Sequence, residues 1–171
     1  MKLIKYIFDA INRLAAQAIN SLQYKRGLIS EIEYELRREF LRLPEQFGSN
    51  DFYQNYPPLK ISGRRCSLCR YSVYGMKENL KKDFAVLDIG GNIGFFSLYL
   101  SRFVREIEIV EKNPRLVNIA SKLAEYEGID NVNIVQGDFK DYNSKKKFDL
   151  IMSLAIHKWV GMEFSDYLEK I

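Results

Sequence analysis

Cysteine, histidine, tryptophan and proline are scarce in this chain, and long apolar runs are missing. The 171 residues contain two cysteines, one histidine and one tryptophan. Two cysteines three positions apart cannot build the disulfide framework of a small secreted domain. Cys66-Ser67-Leu68-Cys69 with one distant histidine also falls short of the four ligands of a structural zinc site. No metal is therefore expected, and the two thiols read as small packing residues. No stretch approaches the roughly 18 to 20 consecutive apolar residues of a membrane span. The start, Met1 to Asp9, begins like a secretion signal, but Asp9, Asn12 and Arg13 interrupt the apolar core that such a signal needs. These absences together lead to the expectation of a cytoplasmic protein. Three of the four prolines fall between residues 44 and 63, which marks an irregular connection there.

What is present is a globular balance. Apolar residues make up 47% and charged residues 28%, enough for one buried core and too apolar for wholesale disorder. The net charge of +4 does not by itself establish a nucleic-acid partner. Cations crowd residues 60–82, Arg64, Arg65 and Arg70 among them, and recur at Lys145 to Lys147. Such clusters either steer an anionic substrate or are solvated faces.

The most informative stretch is Phe84 to Leu98. A continuous apolar run ends in Asp88, a Gly90-Gly91-Asn92-Ile93-Gly94 loop follows, and apolar residues then recur at helical spacing. That pattern predicts a buried parallel strand, a tight loop with positive φ values or close ligand approach, and a helix N-terminus. Before it, Ile4, Ile7, Ile11, Leu14, Ala18 and Leu22 predict a helix over 3–22 with one apolar face, packed on the domain or on a twin subunit in preference to a membrane surface. A second helix is predicted over 30–43, capped by Ser30 with Glu33 three residues on and closed by Pro44 and Gly48, and a third over 67–80. After the loop the spacing predicts a helix over 94–103, a strand over 106–111, and a helix capped by Asn113 and Pro114 and stopped by Gly128. Strands follow over 132–135 and 148–154. Strands alternating with helices make this an α/β chain with a parallel sheet, whose ligands sit beyond the strand carboxyl ends.

Those strand ends carry Asp88, Glu111, Asp138 and the segment Ser153 to Trp159. Glu111 follows Asp88 by 23 residues, close to the offset of about 20 at which a second-strand acid meets a ribose diol in dinucleotide folds. A carboxylate accepts two hydrogen bonds side by side, which suits that diol. The dinucleotide glycine pattern is broken by Asn92 and Phe95.

The ordered set Val86 to Gly94, Ile109 to Pro114, Gly137-Asp138-Phe139 and Phe148 to Met152 closely resembles the motifs of class I S-adenosylmethionine-dependent methyltransferases. The resemblance spans about residues 62 to 165. It implies a Rossmann-like parallel sheet of strand order 3-2-1-4, a helical extension and linker over 1–61, and a cofactor-binding domain over 62–171. It implies S-adenosylmethionine as cofactor, with Asp88, Gly90, Gly91, Asn92 and Gly94 at the methionine portion, Glu111 at the ribose, and Asp138 and Phe139 at the adenine. His157 falls where the family faces the methyl group, either as the general base or as a packed histidine; Trp159 is either a substrate wall or core. Leu154 to Val160 is similar, more weakly, to a stretch of RNA 5′-phosphate capping methyltransferases, which adds Arg64, Arg65, Arg70, Trp159 and Lys158 as candidates for the substrate. Nucleic acid and small metabolites both stand as acceptors. The family fold has seven strands, so the sheet is expected to end after its fourth. The exposed edge implies a fragment, cover by the N-terminal helices, or a second chain. An incomplete module that binds the cofactor without turning it over is the competing expectation.

Overall fold

The computed structural model describes residues 2–42, 52–154 and 156–171. The chain divides into two compact units, Met1–Cys66 and Ser67–Ile171. The division falls later than the 61/62 boundary expected from the sequence because residues 63–65 form a strand that pairs within the first unit.

The first unit contains α1 (Lys2–Lys25), α2 (Glu31–Phe40), β1 (Phe52–Gln54) and β2 (Gly63–Arg65). Ser30 caps α2 as expected, its hydroxyl accepting the Glu33 N–H at 3.2 Å. The predicted stop at Pro44 and Gly48 lies outside the described residues. Glu33 and Arg37 form a buried ion pair at 2.7 Å, and Arg37 also donates to Ser62 at 2.8 Å. The segment read as an irregular connection pairs β1 with β2 in parallel around a 3₁₀ turn, Pro57–Leu59. Prolines announce the turn, but pairing across it depends on contacts that no local pattern reports.

For α1 the structure does not show the apolar face packed on the domain, the first of the two expected arrangements. The six apolar positions from Ile4 to Leu22 are all exposed, and the buried residues are Ala16 and Asn20 on the opposite side. The helix packs on α2 with Tyr24 stacked on Tyr34 at 4.8 Å. Periodicity identifies an apolar face but not which side of the helix meets its neighbour.

The second unit holds α3 (Ser67–Val73), α4 (Met76–Asn79), β3 (Ala85–Ile89), α5 (Phe95–Leu100), β4 (Glu106–Glu111), α6 (Pro114–Glu127), β5 (Val132–Gln136), β6 (Leu150–Met152), α7 (His157–Val160) and α8 (Phe164–Lys170). The helix predicted over 67–80 is broken at Gly75, which sits at φ +61°. Cys66 and Cys69 are disulfide-bonded rather than packing thiols; spacing of three across the first turn of a helix brings the two side chains to one side. The sheet is parallel with order β5-β4-β3-β6, and Val86 stands opposite Ile107 and Leu150. Successive residues alternate between two cores. Val86, Ile107 and Ile109 join Phe96 and Leu100 on one face, while Leu87, Ile89 and Val110 join Phe139 and Tyr167 on the other.

On that second face Glu108 accepts hydrogen bonds from Tyr142, Asn133 and Lys146. Burial pushes the Glu108 carboxyl up, and these three donors outweigh it, leaving it below the usual range. Burial and the Glu108 hydrogen bond push the Tyr142 phenol up to about 12. The network ties the loop after β5 to the sheet, and so fixes the ground on which Asp138 and Phe139 stand.

Candidate cofactor site

The turn from β3 into α5 has the positive φ values that are one of the two reasons the sequence offers for its glycines, at Gly90 and Gly94 but not Gly91, and adds one at Asn92. Gly90 (φ +70°), Asn92 (φ +58°) and Gly94 (φ +74°) are all left-handed. Asparagine tolerates that region, and the Asn92 Oδ1 accepts the Ile93 N–H at 2.8 Å. Asn92→Ala is expected to lower stability by about 1 kcal/mol, whereas Asn92→Gly changes it by a few tenths, as read by urea denaturation.

Gly91 is glycine for a different reason. A Cβ there would lie 2.5 Å from Ile109 Cγ2 and 2.8 Å from Asp88 Oδ2. At Gly90 a Cβ would meet Ile156 Cδ1 at 2.5 Å, so the side chain of Ile156 rests directly on the loop.

Most of the loop's hydrogen-bond donors are already used. Gly90 N–H donates to the Val110 carbonyl at 2.8 Å, Asn92 N–H to Glu111 Oε2 at 3.0 Å, and Gly94 N–H to the Gly91 carbonyl at 3.0 Å. With Ile93 bound to Asn92, four of the five loop amides from Gly90 to Gly94 donate internally. A phosphate cradle needs those amides turned toward the ligand; here the loop presents shape and carboxylates instead.

The carboxylates are Asp88 and Glu111. Asp88 lies at 5% exposure on β3 and accepts the Ser97 hydroxyl at 2.6 Å. Burial pushes its carboxyl up to about 6; the Ser97 bond lowers it and the negative charge of Glu111 raises it again. Glu111 closes β4, and its second oxygen accepts the Asn113 N–H at 2.9 Å. Each Glu111 oxygen therefore holds one backbone donor and retains a lone pair for another.

Beyond these strand ends lies a cleft lined by Gly90, Glu111, Lys112, Asp138, Ile156 and Trp159, among others. Asp138 accepts the Lys140 N–H at 3.1 Å, and Phe139 is buried against Tyr142 and Tyr167. Trp159 is 64% exposed with the Lys158 ammonium 5.3 Å above its ring, and Lys112 donates to its carbonyl at 3.3 Å. The structure thus brings together Gly90, Glu111, Asp138, Phe139 and Trp159. His157 is exposed, 5.4 Å from the Phe164 ring, and is not among the described residues of the cleft. Arg64 and Arg65 are exposed on β2 in the first unit, and Arg70 is half-buried on α3 in the second. Ala155 lies outside the described residues. Sequence reasoning missed Ser97, Lys112 and Ile156. Ser97 is three residues past Gly94 on the first turn of α5, a position facing back toward β3; nothing local marks the other two.

A family model described as a methyltransferase domain matches residues 86–171. The protein-L-isoaspartate O-methyltransferase of Pyrococcus abyssi is 28% identical over 139 residues, covering 77% of this chain and 63% of the relative. The U6 snRNA methylphosphate capping enzyme Amus of Drosophila melanogaster is 25% identical over 130 residues, covering 67% of this chain and 43% of the relative. The crystal structure of a SAM-dependent methyltransferase from Geobacter sulfurreducens, in complex with S-adenosyl-L-homocysteine, superimposes with a TM-score of 0.51 at 20% identity. It covers 59% of this chain and 41% of that one, and shows the fold. The chain spans 61 to 63% of the length of the two isoaspartate methyltransferases it matches.

Proposed function

The chain belongs to the methyltransferase domain family, and from that premise we propose that it binds S-adenosylmethionine in the cleft beside Gly90 and passes its methyl group to an oxygen or nitrogen acceptor. The observation that carries this reading is the pairing of spent loop amides with two buried carboxylates. A pyrophosphate would meet Asp88 and Glu111 as like charges, whereas a ligand with cationic groups and a ribose diol finds a counter-ion in Asp88 and an acceptor of hydroxyl donors in Glu111.

When bound, S-adenosylmethionine supplies an electrophilic methyl group. The residues of this chain orient it and keep water away. Glu111 accepts the ribose hydroxyls through its remaining lone pairs, and Asp138 with Phe139 frames the adenine. Asp88 and the Gly90 to Gly94 turn would seat the methionine end, beside the Ile156 side chain that rests on Gly90. Ile156 and Trp159 line the same cleft and would shield the methyl group from water. In-line methyl transfer is governed by positioning, worth up to about 7 to 11 kcal/mol.

An acceptor that is already anionic, such as the 5′-phosphate of an RNA, needs no base. Lys112 and Lys158 at the cleft mouth supply positive charge for it, and the likeness to the Drosophila capping enzyme supports this acceptor. A hydroxyl acceptor has a proton to lose and needs a base; the position of His157 outside the cleft favours the competing reading of a domain that binds the cofactor without turnover.

Calorimetric titration with S-adenosylmethionine tests the cofactor. The folded chain is expected to bind, and Glu111→Ala to weaken binding by about ten- to a hundredfold through loss of paired charge-assisted hydrogen bonds. No binding by folded protein, or equal affinity of the variant, would sink the proposal. Transfer of a labelled methyl group to 5′-phosphorylated but not 5′-hydroxyl RNA identifies the acceptor, and binding without transfer to any acceptor pool identifies the module.

A further inference from the structure

We propose that α1 is a docking helix for an anionic lipid surface, lying in the plane of the interface with its apolar side in the acyl boundary. The proposal does not depend on the cofactor reading. Its first support is orientation. Leu3, Ile4, Ile7, Phe8, Ile11 and Leu14 occupy an arc of roughly 140° at 100° per residue, and each is at least half exposed, with Ile4 at 74% and Leu3 at 71%. The side turned into the protein buries Ala16 and Asn20 instead. Asn20 is buried at 2% exposure, and among the described residues neither end of its amide finds a hydrogen-bond partner. A helix that buries Asn20 and presents its apolar side outward has the polarity of one whose outer surroundings are not water.

The second support is charge. Residues 1–26 carry Lys2, Lys5, Arg13, Lys25 and Arg26 against Asp9 alone, a net +4, and that is the whole excess of the chain. The remaining 145 residues carry 21 basic (26 less 5) and 21 acidic (22 less 1) residues. Segments of this charge are drawn to anionic headgroups, and two copies of the same segment repel. The seam of Ile4, Ile7, Ile11 and Leu14 also lacks the flanking charges that select a partner helix, because Leu3, Phe8, Ala10, Ala15 and Gln17 stand beside it. Amphipathicity excludes spanning, and no described helix is long and apolar enough to cross a membrane. The stripe from Leu3 to Leu22 is roughly 30 Å long at 1.5 Å per residue, enough for extended contact in the interface plane.

Co-sedimentation of the full chain with vesicles tests this. Binding is expected to phosphatidylcholine vesicles containing phosphatidylglycerol, to weaken as salt is raised, and to be much lower on phosphatidylcholine alone. Ile7→Asp with Ile11→Asp is expected to reduce the partition coefficient at least about tenfold by removing apolar burial, and Lys25→Glu with Arg26→Glu about fivefold or more by reversing charge. All four positions are exposed, and far-UV circular dichroism verifies that both variants fold. Absence of binding to anionic vesicles, equal binding to both vesicle types, or indifference to Ile7→Asp with Ile11→Asp would overturn the proposal. So would a dimer, seen by sedimentation equilibrium, that those two substitutions dissociate while vesicles bind neither protein.

Discussion

Gly91→Ala is expected to destabilise the chain by about 3 kcal/mol or more, the upper range for forcing an extra carbon into a packed core. The added carbon would lie 2.5 Å from Ile109 Cγ2 and 2.8 Å from Asp88 Oδ2. Neither atom sits on a flexible end. Ile109 is fully buried on β4, one strand in from the β5 edge, and Asp88 is held by Ser97. The backbone of the loop has to retreat from β4, which also pulls Asn92 N–H from Glu111. Loss of stability and loss of cofactor affinity should therefore appear together. Gly137→Ala is the comparison, because a Cβ at Gly137 meets nothing within 4 Å. Urea midpoints for the two variants decide the matter: a Gly91→Ala midpoint equal to that of Gly137→Ala would show that the loop yields.

Asp88→Asn is expected to stabilise the protein at neutral pH and to remove a pH dependence that the native chain carries. The Asp88 carboxyl, at about 6 when folded against 3.8 without its surroundings, binds its proton more tightly in the folded state. Between those values the folded chain holds a proton that the unfolded chain has released. Stability therefore falls as pH rises from about 4 to about 6 and is level above that, so far as this group is concerned. A difference of about two pK units corresponds to about 3 kcal/mol. Asparagine has no charge to bury and still offers an oxygen to the Ser97 hydroxyl, so the variant should gain about 1 to 3 kcal/mol at pH 7 and less at pH 4. Glu108 acts in the opposite sense, because its carboxyl is held down and its contribution is lost on acidification. It is common to both proteins, so the difference between them isolates Asp88. A stability difference independent of pH would show that Asp88 is not the titrating group. S-adenosylmethionine binding at pH 7 should weaken in the same variant, since the counter-ion is gone. Stability and ligand affinity then move in opposite directions at one residue, as they do where a site stores an unfavourable burial.

Much of the second unit is legible in the sequence because its signals are local. The apolar run of β3, the Asn113 and Pro114 start and Gly128 stop of α6, and the acids at the strand ends each depend on a few neighbouring residues and appear where the pattern puts them. The carboxyl ends of four parallel strands lie along one edge, so Glu111, Asp138 and the Gly90 loop converge once the order of strands is known. His157 matches the family only in its place along the chain, and the four-residue α7 turns it toward Phe164. The orientation of a side chain on so short a helix is decided by what packs around it.

The sequence alone determined the strand-loop-helix around Asp88, the tight glycine turn within it, and the order of the motifs, because backbone preference and period are properties of neighbouring residues. The tertiary structure decided that four loop amides are spent internally, that Gly91 is required by the side of Ile109 and not by its own φ, and that α1 turns its apolar face outward. The amide hydrogen bonds of Gly90 to Val110 and of Asn92 to Glu111, the approach of Ile109 to Gly91 and the packing of α1 on α2 all join residues that lie in different parts of the fold. A pattern read along the chain can name the surfaces that need covering, but only the packing of one element on another selects which of them is covered.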